Sequence, residues 1–229
     1  MASALESFTP IGRADTLGRR VREQLRHAIM SGRFSPGEKL TIRAVANALG
    51  VSTTPAREAL YNLASDGSLE MRANGSVYIH SLTEERIVEL IKIRIALESL
   101  AAREAARLID PETIDDIERL NALMIDADQR DDYADVVTFN WQLHFTLYRA
   151  SAMPQLVRII EGCWMMIGSY VNIIYPAFSS SGHGIQNHRK MVEALKERDG
   201  ERLAQAVVTD INLVADALLS TIQQENAEE

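Results

Sequence analysis

The sequence predicts a mainly α protein in two parts. A winged helix-turn-helix spans residues 16–80 and an antiparallel all-α bundle of about six helices spans 81–224, with a flexible N-terminus at 1–15 and a tail at 225–229. Three observations carry this expectation. Residues 41–67 hold two short apolar repeats at helical spacing, parted by Gly50. Asn74-Gly75 stands between two short alternating runs, a strong hairpin signal. Beyond Ser81 the apolar residues show helical spacing and no strand alternation.

The elements follow in order. Leu17, Val21, Leu25, Ile29 and Met30 mark an amphipathic first helix with a basic face of Arg19, Arg20, Arg22 and Arg26. A turn through Ser35-Pro36-Gly37-Glu38-Lys39-Leu40 closes that unit. Thr41 caps the next helix, whose apolar positions are Ile42, Val45, Ala46 and Leu49. Gly50 supplies the left-handed residue that ends it. Val51 re-enters the core, and Ser52 or Thr54 caps a second helix with Pro55 in its first turn. Ala56, Ala59, Leu60 and Leu63 are that helix's buried stripe. In such a unit the second helix lies in the DNA major groove. The hairpin of 69–80 adds a wing whose tip can rest on the adjacent backbone or minor groove.

Charge fits this division. The chain carries a net −8, which is unpromising for a DNA binder taken whole. Residues 1–80, however, hold 10 Lys and Arg against 7 Asp and Glu, while 81–229 hold 14 against 25. A mildly basic head on an acidic body keeps the phosphate-facing surface in the head. The single cysteine, Cys163, excludes an internal disulfide and suits a reducing compartment. The first residues have no signal-peptide core and no apolar stretch is expected to reach spanning length, so a cytoplasmic protein without a membrane partner is expected.

The head carries a specific likeness. Arg33-Phe-Ser-Pro-Gly-Glu-Lys-Leu, Leu49-Gly-Val-Ser-Thr-Thr-Pro-Ala-Arg-Glu-Ala-Leu and Leu63…Asp66-Gly67-Ser68-Leu69 resemble the DNA-binding domain of GntR-family bacterial regulators. Candidate DNA contacts are Arg43, Ser52, Thr53, Thr54, Arg57 and the wing residues Arg72, Asn74 and Gly75. Arg57 lies one turn into the recognition helix, where a guanidinium can grip a guanine edge; the alternative is a pair with Glu58 or Tyr61. Arg43 can reach phosphate or base. Ser52 and Thr54 can spend their hydroxyls on capping or on phosphate. The resemblance implies an arginine where this chain has Thr53, so an altered base contact follows.

In the bundle, Thr83 caps a long helix carrying Ile87, Leu90, Ile91, Ile95 and Leu97. Asp110-Pro111-Glu112 opens a second, reaching about Gln129. A third covers about 132–150, and a fourth runs from Met153-Pro154 to Pro176. Residues 178–187 read as a flexible loop, followed by helices of about 186–198 and 200–224. His188 and Asp210 lie eleven residues either side of Asp199. In an antiparallel hairpin they face each other, about 16 Å from the turn at the helical rise. Asn140 and His144 are four apart and share a face. Asn140, His144, His188 and Asp210 can therefore meet inside the bundle as ligands for a divalent ion; the plainer reading is a hydrogen-bonded core histidine.

Arg94-x-x-x-Glu98, Phe139-Asn140-x-x-x-His144 and Asn187-His188-Arg189…Asp199 resemble the FCD-type effector domain of the FadR branch, and six helices suit its VanR-like subgroup. The resemblance implies Zn²⁺ or another divalent ion, nickel or manganese included. Asn140 replaces the usual Asp and Asp210 the usual last His, which favours a more oxygen-rich coordination. Arg94 and Tyr148 are the candidate effector contacts, and Arg94 pairing with Glu98 is the alternative. Trp141, Trp164, Met165, Met166 and Tyr170 recur as core or pocket wall. The expected protein is a homodimeric transcription regulator. It binds an inverted-repeat operator in double-stranded DNA and answers a small organic acid in the bundle. The alternative is a metal-dependent enzyme with an accessory head, against which no general base, nucleophile or phosphate loop accompanies the ligands.

Overall fold

Apolar periodicity becomes helix almost throughout the computed structural model, which describes residues 17–179 and 183–228. The N-terminus expected at 1–15 lies outside the described residues. The head comprises α1 (Leu17–Met30), β1 (Lys39–Leu40), α2 (Ile42–Leu49), α3 (Thr53–Ser65), β2 (Glu70–Met71) and β3 (Val77–Tyr78). The Thr41 hydroxyl accepts from Ala44 N at 3.1 Å, capping α2 as expected. Gly50 ends α2 at φ 64°. Val21, Leu25 and Ile29 of α1 close over Ala56, Ala59, Leu60 and Leu63 of α3, all buried. The sheet order is β1-β3-β2, antiparallel, with Leu40 opposite Val77 and Glu70 opposite Tyr78. The sequence reading treats 35–40 as a turn only; β1 exists because buried Leu40 pairs with the wing, and two residues are too few to show a period.

The bundle comprises α4 (Glu84–Leu108), α5 (Pro111–Gln129), α6 (Tyr133–Arg149), α7 (Pro154–Ser179), α8 (His183–Lys196) and α9 (Gly200–Glu228). Capping sets the starts. Thr83 Oγ1 accepts from Arg86 N, Asp110 Oδ1 from Thr113 N at 2.8 Å, and Asp132 Oδ1 from Asp135 N. The Thr113 bonds also hold the exposed Asp110 carboxyl below its ordinary value. α4 and α9 lie antiparallel, tied by Arg103 to Glu201 at 2.7 Å and by Gln223 to Glu84 at 3.1 Å. α5 packs on α6 and α8, while α7 packs on α4, α6 and α9 and also on α1 of the head.

Two boundaries differ from expectation. The loop expected at 178–187 shrinks, since α7 runs to Ser179 and α8 starts at His183. Ile185 packs on the cluster of Val136, Val137, Val171 and Tyr175, and that burial overrides the coil preference of the local Ser and Gly. The tail expected at 225–229 is helix through Glu228, because no breaker follows Gln223. Against the expectation that no apolar stretch reaches spanning length, α9 over Gly200–Gln223 is apolar enough to cross a membrane by length and composition alone. In this fold its apolar face is spent on α4 and α8, where Leu203, Val207, Ile211 and Leu218 are buried.

Candidate functional site

The head presents one coherent surface. Arg43 on α2 and Thr53, Thr54 and Arg57 on α3 are all exposed. Among the described residues neither Arg43 nor Arg57 makes an ion pair or side-chain hydrogen bond with another side chain. Ser52 occupies the N-cap position of α3 with extended backbone, yet its hydroxyl makes no capping bond. Ser52 is exposed, so its uncommitted hydroxyl is open to a phosphate at the helix start. In the wing, Gly75 takes φ 75° and Asn74 Oδ1 accepts from Ser76 N at 3.0 Å. The Asn74 side-chain oxygen is therefore spent on the turn, while its amide NH₂ takes no part in that bond. The Arg72 guanidinium stacks 3.7 Å from the Tyr78 ring centre and pairs with Glu70, so its head group is held along the wing.

The second site lies inside the bundle. His144 on α6, His188 on α8 and Asp210 on α9 are buried and offer ligand atoms within 4.8 Å of one another. His144 Nε2 is 3.2 Å from Asp210 Oδ2, and His188 Nε2 is 3.1 Å from Asp210 Oδ1. The expected meeting of His188 with Asp210 is thus observed. Asn187 Nδ2 donates to the Ala206 carbonyl at 2.8 Å and reaches Asp210 Oδ1 at 3.4 Å, which steadies the carboxylate. Asn140 stands one turn before His144 on α6 and is half-buried.

The next layer decides what His144 can do. Tyr148 Oη donates to Glu98 Oε2 at 2.6 Å and lies 3.0 Å from His144 Nδ1. A hydroxyl has one proton, so with that proton on Glu98 the tyrosine oxygen accepts from His144 Nδ1–H. The hydrogen-bond pattern therefore places the first imidazole proton on Nδ1. Nε2 is left to face the Asp210 carboxylate, where it can take up either a proton or a cation. Nε2 of His144 and both ring nitrogens of His188 have no aligned hydrogen-bond partner among the described residues. Close but misaligned nitrogen and oxygen lone pairs converging on one point suit a cation held between them. The residues fit a divalent ion.

Glu98 is the centre that sequence reasoning undervalues, naming it only as an alternative partner for Arg94. It is fully buried on α4. Arg94 Nε donates to it at 2.7 Å and Nη2 at 3.4 Å, and Trp164 Nε1 donates at 3.1 Å. The Arg94 guanidinium also lies 4.8 Å from the Trp164 ring centre. Arg94, Glu98, Tyr148, His144, Asp210 and His188 thus form one continuous buried polar chain. Burial alone lowers the Arg94 guanidinium, but Glu98 outweighs it and raises the group. Burial and Glu98 push the Tyr148 hydroxyl well up, keeping it a donor. Burial opposes ionisation of Asp210, yet the His188 and His144 imidazoles hold its carboxyl well below the usual range. The signal for Glu98 was a carboxylate on an otherwise apolar face; its other two donors come from distant helices.

Comparison with known proteins agrees with both halves. Residues 17–79 match the bacterial regulatory proteins of the gntR family, and residues 89–212 match the FCD domain. The chain is 27% identical over 183 residues to the HTH-type transcriptional regulator McbR of Escherichia coli (strain K12), covering 79% of this chain and 83% of that one. It is 32% identical over 200 residues to a probable D-xylose utilization operon transcriptional repressor of Paenarthrobacter nicotinovorans, covering 85% and 84%. The solved structure of E. coli McbR/YncC superposes with a TM-score of 0.85 at 25% identity, covering 91% of this chain and all of that one.

Proposed function

The chain belongs to the GntR family of bacterial regulatory proteins, with an FCD domain behind its DNA-binding head, and from that premise we propose how this regulator works. It is a transcription regulator and not an enzyme. It acts in the cytoplasm as a homodimer, each subunit placing α3 in one half-site of an inverted repeat. Arg57 reads a base edge, Arg43 and the Ser52–Thr54 turn hold phosphate, and Arg72, Asn74 and Gly75 carry the wing to the flank. A divalent ion, zinc in the first instance and otherwise nickel or manganese, would be held by His144, His188 and Asp210, with the Asn140 amide oxygen as a fourth ligand. Bound there, the ion supplies a positive centre for the carboxylate of a small organic acid. Arg94 and Tyr148 flank that place, and an entering carboxylate competes with Glu98 for them.

The observation that carries the effector half is the set of buried ring nitrogens without aligned partners. Metal analysis of protein purified without chelator or nickel resin tests it. Wild type should carry a divalent ion, and His144→Ala and His188→Ala should each lose it and melt lower, because an ion that binds only the folded state stabilises it. Both variants should still bind operator but ignore the acid. In the same gel-shift titrations Arg57→Ala should lose about 1–3 kcal/mol and relax base preference at one position. A metal-free wild type with full acid response in both histidine variants refutes the metal reading.

A further inference from the structure

The head is not merely tethered to the bundle. The last turn of α1 packs into a notch on α7 at Gly168. A Cβ there would lie 2.6 Å from the Ile29 carbonyl oxygen and 2.9 Å from Met30 Cα. Both neighbours are backbone, so any side chain at 168 must push α1 away. Beside the notch, Arg26 of α1 pairs with Glu161 of α7, both side chains largely buried. His27 of α1 meets the edge of Trp141 on α6, with ring centres 4.7 Å apart. Leu82 N, in the segment joining wing and bundle, donates to Tyr170 Oη of α7 at 2.6 Å. α1 in turn packs on α3, so the recognition helix is braced through α1 to α7. Trp164, which donates to Glu98, lies one turn before Gly168, and Trp141 lies three residues before His144.

We propose that this notch sets the angle of the reading head on its own bundle, which makes Gly168, Glu161 and Arg26 positioning residues for operator recognition. None of them contacts DNA. They decide instead whether the two α3 helices of a dimer reach both half-sites at once. The proposal rests on the two-fold reading above.

The test uses the full-length protein and duplexes selected by the wild type from a random pool. Some carry one half-site and others carry two at a series of spacings. Wild type should prefer two half-sites at one spacing; equal binding of one and two refutes the two-fold reading before any variant is made, and this proposal with it. Gly168→Ala should keep single half-site affinity within about twofold. It should lose at least about tenfold on the best two-site duplex, or move the optimum spacing, because avidity vanishes when geometry forbids simultaneous engagement. A merely structural role lowers both affinities together, and that outcome overturns the proposal, as does an unchanged spacing optimum at unchanged affinity. Should Gly168→Ala fail to fold by circular dichroism, Arg26→Gln, Glu161→Gln and their double variant decide. Each single should weaken two-site binding selectively and the double no further than either; no loss, or additive loss, overturns it.

Discussion

The one hydroxyl proton of Tyr148 governs which face His144 shows to the centre of the bundle. Given to Glu98, it makes the tyrosine oxygen an acceptor and fixes the imidazole proton on Nδ1. A histidine held this way is preorganised as a ligand, since its tautomer and ring angle are set before any ion arrives. Glu98 keeps this arrangement because Arg94 and Trp164 satisfy its other lone pairs. Tyr148→Phe removes the acceptor while keeping the ring, so His144 can take either tautomer and rotate. Metal affinity should fall about 10–100-fold, the usual cost of losing an outer partner of a ligating histidine. Zinc titration of the apoprotein against a fluorescent competitor measures it. Affinity equal to wild type would show that His144 does not depend on Tyr148 for its orientation.

At the scale of elements, legibility followed how local the determinants are. Helix starts were readable because Thr83, Asp110 and Thr41 cap their own chains within three residues. The pairing of His188 with Asp210 was readable because one short turn at Asp199 sets the register of two helices. β1 and the first turn of α8 were not, since each exists through partners far along the chain, Val77 for one and the Val136–Tyr175 cluster for the other. Glu98 was half legible for the same reason: Arg94 is local, while Tyr148 and Trp164 come from helices whose rotation the sequence leaves open. Capping also separates two residues that read alike. Thr41 and Ser52 both stand at N-cap positions, but only Thr41 makes the bond. Thr41→Ala should cost about 1 kcal/mol of stability in thermal melts. Ser52→Ala should leave the melt unchanged and weaken DNA binding. Equal destabilisation by the two would place Ser52 in the cap rather than on phosphate.

For the whole molecule, charge separation sets how binding works. A chain of net −8 meets a polyanion only through a head where basic residues outnumber acidic ones, ten against seven. Few cations therefore carry the phosphate contacts, and each should be visible in the salt dependence. Log affinity falls with log salt at about 0.9 per neutralised phosphate, so removing one phosphate contact per subunit flattens the slope by about that amount for each head engaged. Arg43 is exposed at the start of α2 and unpaired among the described residues, which makes it the residue to remove. The bundle also leaves Ile93 and Leu100 of α4 and Ile159 and Ile173 of α7 exposed, apolar surface of the kind a second copy can cover. Light scattering should accordingly find twice the 25.5 kDa chain mass at micromolar concentration. On a two-site operator, Arg43→Ala should flatten the salt slope by about two, one contact from each head. A change of about one means a single head is engaged and contradicts the two-fold arrangement. An unchanged slope with altered base preference moves Arg43 from phosphate to base.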